Sequence, residues 1–191
     1  GIMAQNYRSG ALSIISTGDV TGHYQAGIFA SNDGTSLTIT TAAVSGGLAG
    51  IAAQNNGSGA LSIRSTGDVT GDDYFGIFAR NSGTDLTISA ALVSGGRTGI
   101  YARNYGSGTL SITSTGDVTG DDYYGIFTRN SGTDLTISAA SASGRIGIYA
   151  RNRGTGDLSV TATGPVTGTT GSGMSTTNDS TGENLGITVG D

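Results

Sequence analysis

Apolar and polar residues alternate along this chain over short stretches, and Gly, Asn and Asp separate these stretches from one another. In residues 99 to 120 the strand-like stretches are IYA, LSITS and DVT, and RNYGSG and TGD lie between them as corners. Period-two alternation directs Tyr101 outward and sends four aliphatic residues inward, namely Ile100, Ala102, Leu110 and Ile112. Three short strands per coil predict a parallel β-helix.

The same pattern recurs along the whole chain. A GI(F/Y)A-like element begins at Gly1, Gly27, Gly50, Gly76, Gly99, Gly125, Gly147 and, in degraded form, Gly173. Coils of 26 and 23 residues alternate, so the true repeat is a pair of about 49 residues. We therefore predict an all-β, right-handed parallel β-helix of about eight rungs, with residues 1–191 as a single unit and 173–191 as a degenerate last rung.

An asparagine follows each repeat glycine by five residues. Asn tolerates the backbone of a tight corner, and its amide can both donate to and accept from an identical amide about 4.8 Å away. We expect a structural ladder of stacked amides formed by Asn6, Asn32, Asn55, Asn81, Asn104, Asn130, Asn152 and Asn178.

Composition narrows the function classes. The chain has 35 Gly, one Pro and no Cys, which excludes disulfides and thiolate sites. Its nine basic residues are all Arg and its net charge is −5, which argues against sequence-independent binding to nucleic acid. No apolar run reaches the roughly 20 residues of a membrane span, and no signal peptide begins the chain. Since residue 1 already lies inside a repeat, we expect a piece of something longer.

Because the coils stack, an outward residue that recurs in every coil forms a stripe along the predicted solenoid. One such stripe is basic. Arg80, Arg103, Arg129 and Arg151 occupy the position before the asparagine in four consecutive coils. Like charges at rung spacing repel, which favours an anionic partner such as an acidic or sulfated glycan. The alternative is that Asp85, Asp134 and Asp157 lie at the nearby corner and neutralise the row.

A second stripe is aromatic. It comprises Phe29, Phe78, Tyr101, Phe127 and Tyr149, and Ala52 interrupts it. Exposed aromatic rings stack on sugars and on partner proteins, and they are enriched in binding surfaces. The alternative is that they only stabilise the parallel sheet by stacking on one another.

The longer loops carry HYQA at residues 23–26, DDYF at 72–75 and DDYY at 121–124. Paired Asp residues also occur in calcium sites and in glycosidases. The pairs recur only on alternate rungs, however, and His23 is the single histidine, replaced by Asp in its equivalents. We therefore predict an acidic, solvated ridge, with no catalytic residue, no metal site and no cofactor.

The strings GIYARNYGSGTLSITSTGDVTG, GIAAQNNGSGALSIRSTGDVTG and GIYARNRGTGDLSVTATGPVTG resemble the passenger-domain repeats of bacterial autotransporters, the secreted parts of type V secretion proteins. The resemblance covers nearly the whole chain. It implies a pectin-lyase-like β-helix on the cell surface, exported through a C-terminal outer-membrane barrel that lies outside these residues. Contact with a membrane is expected only through that barrel.

Two functions remain open from the sequence. The first is a non-catalytic extracellular stalk or adhesin that contacts a host-surface protein or an anionic glycan, with self-association through its ends or faces. The second is a carbohydrate-active or glycan-binding module of the pectin-lyase type. A repeat motif that builds a stalk does not identify what the stalk binds.

Overall fold

The computed structural model describes residues 1–179 and 181–190, and it is a parallel β-solenoid. Eight strands form the first stack, and the chain completes about seven turns through them. These strands are β1 (Ile2–Asn6), β4 (Ile28–Asn32), β7 (Ala49–Asn55), β10 (Phe75–Asn81), β13 (Thr98–Asn104), β15 (Tyr124–Asn130), β17 (Ile146–Asn152) and β20 (Met174–Asn178). The predicted all-β solenoid is confirmed, and its right-handed winding stays a prediction.

Two further stacks complete each coil. The second contains β2 (Leu12–Ile15), β5 (Leu37–Thr41), β8 (Leu61–Ser65), β11 (Leu86–Ala90), the first halves of β14 (Leu110–Gly120) and β16 (Leu135–Gly144), β18 (Leu158–Ala162) and β21 (Leu185–Val189). The third contains β3 (Val20–Gly22), β6 (Val44–Gly46), β9 (Val69–Gly71), β12 (Val93–Gly95), the second halves of β14 and β16, and β19 (Val166–Gly168). Because β14 and β16 run through both stacks, these strands join into one sheet.

Equivalent residues lie on top of one another in every coil. Ile77 pairs with Ile51 on one side and Ile100 on the other, and Leu86 pairs with Leu61 and Leu110 in the same way. These aliphatic side chains are fully buried and form files along the axis. The core is therefore continuous through the stack and belongs to no single coil, as expected for a solenoid.

Glycine at the start of each first-stack strand permits this close stacking. A Cβ added at Gly76 would lie 2.5 Å from Val93 Cγ1 and 2.8 Å from the carbonyl oxygen of Gly99 in the next coil. Both distances are too short for a side chain. The recurring glycine is thus required by the approach of neighbouring coils.

The last coil, which the sequence analysis predicted as a degenerate rung, continues both stacks but is covered on one side only. β20 pairs with β17 and β21 pairs with β18, both in parallel and in register. Leu185 and Ile187 nevertheless remain about half exposed, whereas their partners Leu158 and Val160 are fully buried. In the first coil, the outward-facing Met3 and Ile15 are exposed. Self-association through these terminal coils stays a prediction.

Among the residues that the structure describes, no helix has the length and apolar character that crossing a membrane would require.

Candidate functional site

The asparagine ladder forms one side of the site and fixes the strand ends that carry it. Each Nδ2 donates to Oδ1 of the asparagine one coil further along, from Asn6 to Asn152. The six distances, in chain order, are 2.7, 2.7, 2.9, 3.0, 3.1 and 3.1 Å. Six of these asparagines are completely buried or nearly so: Asn32, Asn55, Asn81, Asn104, Asn130 and Asn152. The predicted ladder is confirmed over these coils.

Asn178 is aligned with the ladder but takes no part in its chain of hydrogen bonds. It pairs in register with Asn152. Its Nδ2 donates to the carbonyl oxygens of Asn184 and Gly156 at 2.9 and 3.3 Å, and its Oδ1 has no partner. The ladder therefore ends at Asn152, where the amide donates to Gly156 O instead.

The residue before each asparagine points to the opposite face of the same strand, and in four coils it is arginine. Arg80, Arg103, Arg129 and Arg151 pair with one another in register and form what we call the Arg row. Within the described part of the chain, only Arg151 of this row has an ion pair, at 3.1 Å to Asp179. That hydrogen-bonded carboxylate raises the pKa of Arg151. Three consecutive guanidinium groups therefore have no carboxylate partner in residues 1–179 and 181–190.

Among the described residues, the corner aspartates Asp85, Asp134 and Asp157 form no direct ion pair with the Arg row. Asp85 Oδ1 accepts a hydrogen bond from the Thr109 backbone N–H at 2.8 Å. Asp134 Oδ1 accepts one from the Asp157 N–H, also at 2.8 Å. Asp157 Oδ1 in turn accepts one from the Asn184 N–H. The Oδ1 atoms of these carboxylates therefore tie one corner to the backbone of the next coil.

The aromatic column runs beside the Arg row, two residues earlier on each strand. Consecutive rings from Phe78 to Tyr149 are nearly parallel, with centroids 5.3, 4.9 and 5.0 Å apart and interplanar angles of 9°, 7° and 6°. Such offset contacts between rings stabilise neighbouring strands. Phe29 belongs to the same file but is separated from Phe78 by Ala52, with which both pair in register.

The long loops supply a second tier of rings that the sequence analysis missed. Phe75 packs on Phe78 and Tyr101, and Tyr124 packs on Phe127 and Tyr149, with centroid distances of 5.1 to 5.8 Å. Phe127 is consequently only 5% exposed. Aligning HYQA, DDYF and DDYY would have revealed the aromatic residue at the fourth position.

The guanidinium groups of Arg103 and Arg129 lie over rings of the aromatic column. Arg103 Cζ is 5.0 Å from the Tyr101 centroid and 5.4 Å from that of Phe127. Arg129 stands over Phe127 at 5.2 Å and Tyr149 at 5.8 Å. The Nε atoms of both arginines are buried and have no hydrogen-bond partner. Cation–π contacts and packing of the stems therefore hold the arginines in place, while no protein acceptor meets their Nε–H groups.

Tyr105 is a further residue that the sequence analysis missed. Its hydroxyl accepts hydrogen bonds from Arg103 Nη1 at 3.1 Å and Arg80 Nη2 at 3.5 Å, and Arg80 lies over its ring. The hydrogen bond from Arg103 is the main cause that lowers the pKa of Tyr105. Burial raises the pKa of Tyr101. Tyr105 follows Arg103 by two residues, so period-two alternation would have placed it on the same face.

The acidic loops lie in solvent. Asp72, Asp73, Asp121 and Asp122 are exposed, and Arg97 lies between the rings of Tyr74 and Tyr123. No group of three or more His, Cys, Asp or Glu side chains in the described residues could hold a metal ion. The chemistry that this surface offers is donation of hydrogen bonds by cationic groups beside flat apolar rings.

No family model, no curated protein and no solved structure matches the chain.

Proposed function

We propose that the chain is a non-catalytic stalk or adhesin segment of an autotransporter-like protein on a bacterial surface, and that its Arg row and aromatic column bind an acidic or sulfated glycan. The observation that carries this proposal is the row of three guanidinium groups, Arg80, Arg103 and Arg129, without a carboxylate partner among the described residues. An anionic polymer would supply negatively charged acceptors in addition to the Tyr105 hydroxyl, which accepts hydrogen bonds from Arg80 and Arg103.

The geometry of the row favours a repeating ligand over a single small anion. Neighbouring guanidinium groups belong to adjacent coils, which are about 4.8 Å apart, so several of them can contact one chain at once. Contacts made by linked groups add through a high effective concentration, and individually weak ion pairs can then give useful affinity. The aromatic rings beside the row offer faces on which sugar rings can stack.

The extracellular location is part of the same proposal. It is supported by the autotransporter-like repeats and is consistent with a chain that contains no cysteine. A rigid solenoid that repeats one surface on every coil suits a stalk, because its length and its number of binding positions increase together.

The test is titration of the purified chain with a sulfated polysaccharide such as heparin and with polygalacturonate, followed by calorimetry at low and high salt. We expect binding that weakens as salt rises, since exposed ion pairs are screened. Replacing Arg80, Arg103 and Arg129 together by Gln should reduce the affinity at least tenfold. The matched control replaces three exposed arginines elsewhere, Arg8, Arg64 and Arg145, by Gln.

Both triple variants change the net charge equally, so an equal loss in the two would assign the binding to overall charge and contradict the proposed surface. A second readout is the release of new reducing ends from the polysaccharide. Their appearance would contradict the non-catalytic proposal and favour a carbohydrate-active module. Absence of binding to any acidic glycan would leave a host-surface protein as the partner to seek.

A further inference from the structure

An apolar cleft lies beside the first coils, away from the Arg row. Its volume is about 770 Å³, and it is open to solvent on one side. Met3, Phe29 and Ala52 line it from the first stack, and Tyr24, Ala26 and Leu48 line it from the loops. No Arg, Asp or Glu side chain contributes to its walls. A site of this size and character is typical of pockets for small organic ligands.

The internal repeat explains why the cleft exists. The loop HYQA ends in Ala26, whereas its equivalents DDYF and DDYY end in Phe75 and Tyr124. Each of those rings packs against the aromatic residue of its own coil and that of the next coil. In the first loop this ring is missing, because the methyl side chain of Ala26 is too short to contact Phe29 as a ring would. The next coil also lacks a ring, since Ala52 occupies its position in the aromatic column.

Phe29 shows the result of this double replacement. It is 36% exposed, whereas Phe127, which has a ring on every side, is 5% exposed. Both residues belong to first-stack strands that pair in register with their neighbours, although the strand of Phe127 begins at Tyr124 and that of Phe29 only at Ile28. The cleft therefore includes the position that an aromatic ring fills in the equivalent coils.

We propose that this cleft binds a small, uncharged aromatic molecule with one six-membered ring, stacked on Phe29. The chain itself indicates the occupant, because the equivalent positions hold a phenyl ring in Phe75 and a phenol ring in Tyr124. No Arg, Asp or Glu side chain lines the cleft, and the Gly1 ammonium group there donates to the carbonyl oxygen of Thr21, so the lining favours a neutral ring over a benzoate. His23, Gln5 and Gln25 also line the cleft and offer hydrogen-bonding groups for a ring hydroxyl.

The test uses p-cresol, which reproduces the tyrosine side chain, and observes the alanine methyl groups of the whole chain by NMR. Ring currents should shift the methyl signals of Ala26, Ala49 and Ala52, while those of Ala139 and Ala162 in distant coils stay fixed. A ligand of so few atoms is expected to bind with a dissociation constant on the order of 1 mM. 4-Methylcyclohexanol, which has similar size but no π system, should bind several-fold more weakly.

Two variants test whether a missing ring creates the cleft: one adds a ring at the first loop, and the other removes a ring from a later one. Ala26→Phe should fill the cleft as Phe75 fills its own position, and it should weaken p-cresol binding at least tenfold. Tyr124→Ala should open a second cleft between Phe127 and Tyr149. In that variant the Ile146 methyl signals, which lie beside the vacated position, should respond to p-cresol, although they do not in the parent chain.

The proposal is overturned if p-cresol leaves the Ala26 and Ala52 signals unchanged at tenfold the expected dissociation constant. It is equally overturned if Ala26→Phe binds as well as the parent chain. Should Ala26→Phe fail to fold, the Ile146 response in Tyr124→Ala decides the matter alone. Shifts of the same alanine signals that depend on protein concentration without ligand would assign the cleft to a second copy of the chain, and would also overturn it.

Discussion

The asparagine ladder and the Arg row occupy adjacent positions on the same strands, yet stacking affects them in opposite ways. An asparagine amide both donates and accepts, so a file of identical amides completes its own hydrogen bonds. A guanidinium group only donates, so a file of identical guanidinium groups repels and has no acceptors within itself. Repetition therefore stabilises the asparagine ladder, whereas it leaves the Arg row with repelling charges that an anionic ligand would neutralise.

The largest effect that we predict is at the centre of the ladder. Asn104→Ala removes the acceptor of Asn81 Nδ2, the donor to Asn130 Oδ1 and the acceptor of the Gly106 N–H. Since these groups are buried, the free energy of unfolding should fall by about 3 to 5 kcal/mol. Urea unfolding followed by circular dichroism measures it. Asn178→Ala, outside the chain of hydrogen bonds, is the control and should cost far less.

A smaller effect is expected at the end of the ladder. Asn152 accepts from Asn130 Nδ2, but its own amide donates to Gly156 O and not to another asparagine. Asn152→Ala therefore interrupts the ladder on one side only, and we expect a loss of about 2 kcal/mol by the same measurement. Equal losses for Asn152→Ala and Asn104→Ala would mean that stacking of the amides adds nothing to their local hydrogen bonds.

The Arg row should tolerate replacement much better. Arg103→Met keeps an unbranched stem on Tyr101 and Phe127, and it removes a buried Nε–H that has no acceptor. The cation–π contact that it loses contributes only about 0.5 to 1 kcal/mol at an exposed site. We expect stability within about 1 kcal/mol of the parent chain. A loss as large as that of Asn104→Ala would show that the row is structural and would remove the reason to expect a partner.

The smallest effect concerns the two tyrosines of the surface. Hydrogen bonding to Arg103 lowers the pKa of Tyr105, and burial raises that of Tyr101, from an ordinary value of 10.0. Ionised Tyr105 therefore adds stability above the unfolded pKa, and this contribution is lost as pH falls through the lower folded pKa. Tyr101 has the opposite effect, because its raised pKa means that the protonated form stabilises the folded state. This contribution to stability is lost as pH rises through the folded pKa of Tyr101. An ultraviolet titration should show an early component that Tyr105→Phe removes, and its persistence would contradict the Arg103 contact.

Periodicity was sufficient to predict the strands, their register and the asparagine ladder, because stacking repeats one local geometry in every coil. It did not predict which hydrogen bonds individual side chains make. Asp85 follows the Arg row closely in sequence, but its Oδ1 accepts a hydrogen bond from the Thr109 N–H of the next coil. Asn178 keeps its alignment, but its Oδ1 accepts no hydrogen bond from Asn152, whose Nδ2 donates to Gly156 O.

The candidate surface was predicted only in outline. The Arg row and the aromatic column follow from single positions in the repeat, which a sequence displays directly. Phe75 and Tyr124 begin their strands, and their packing on the column follows only from aligning the segments that precede these strands. The same alignment shows Ala26 in place of the ring.

The ladder has a direction as well as a position. In all six of its bonds Nδ2 points toward the C-terminal coil and Oδ1 toward the N-terminal one. Strand dipoles in a sheet largely cancel, whereas these aligned amide dipoles add along the axis. The rod should therefore be electrically polar, positive toward Asn152 and negative toward Asn6. No single amide can reverse without placing two oxygens or two nitrogens face to face, so the polarity can invert only along the whole file at once.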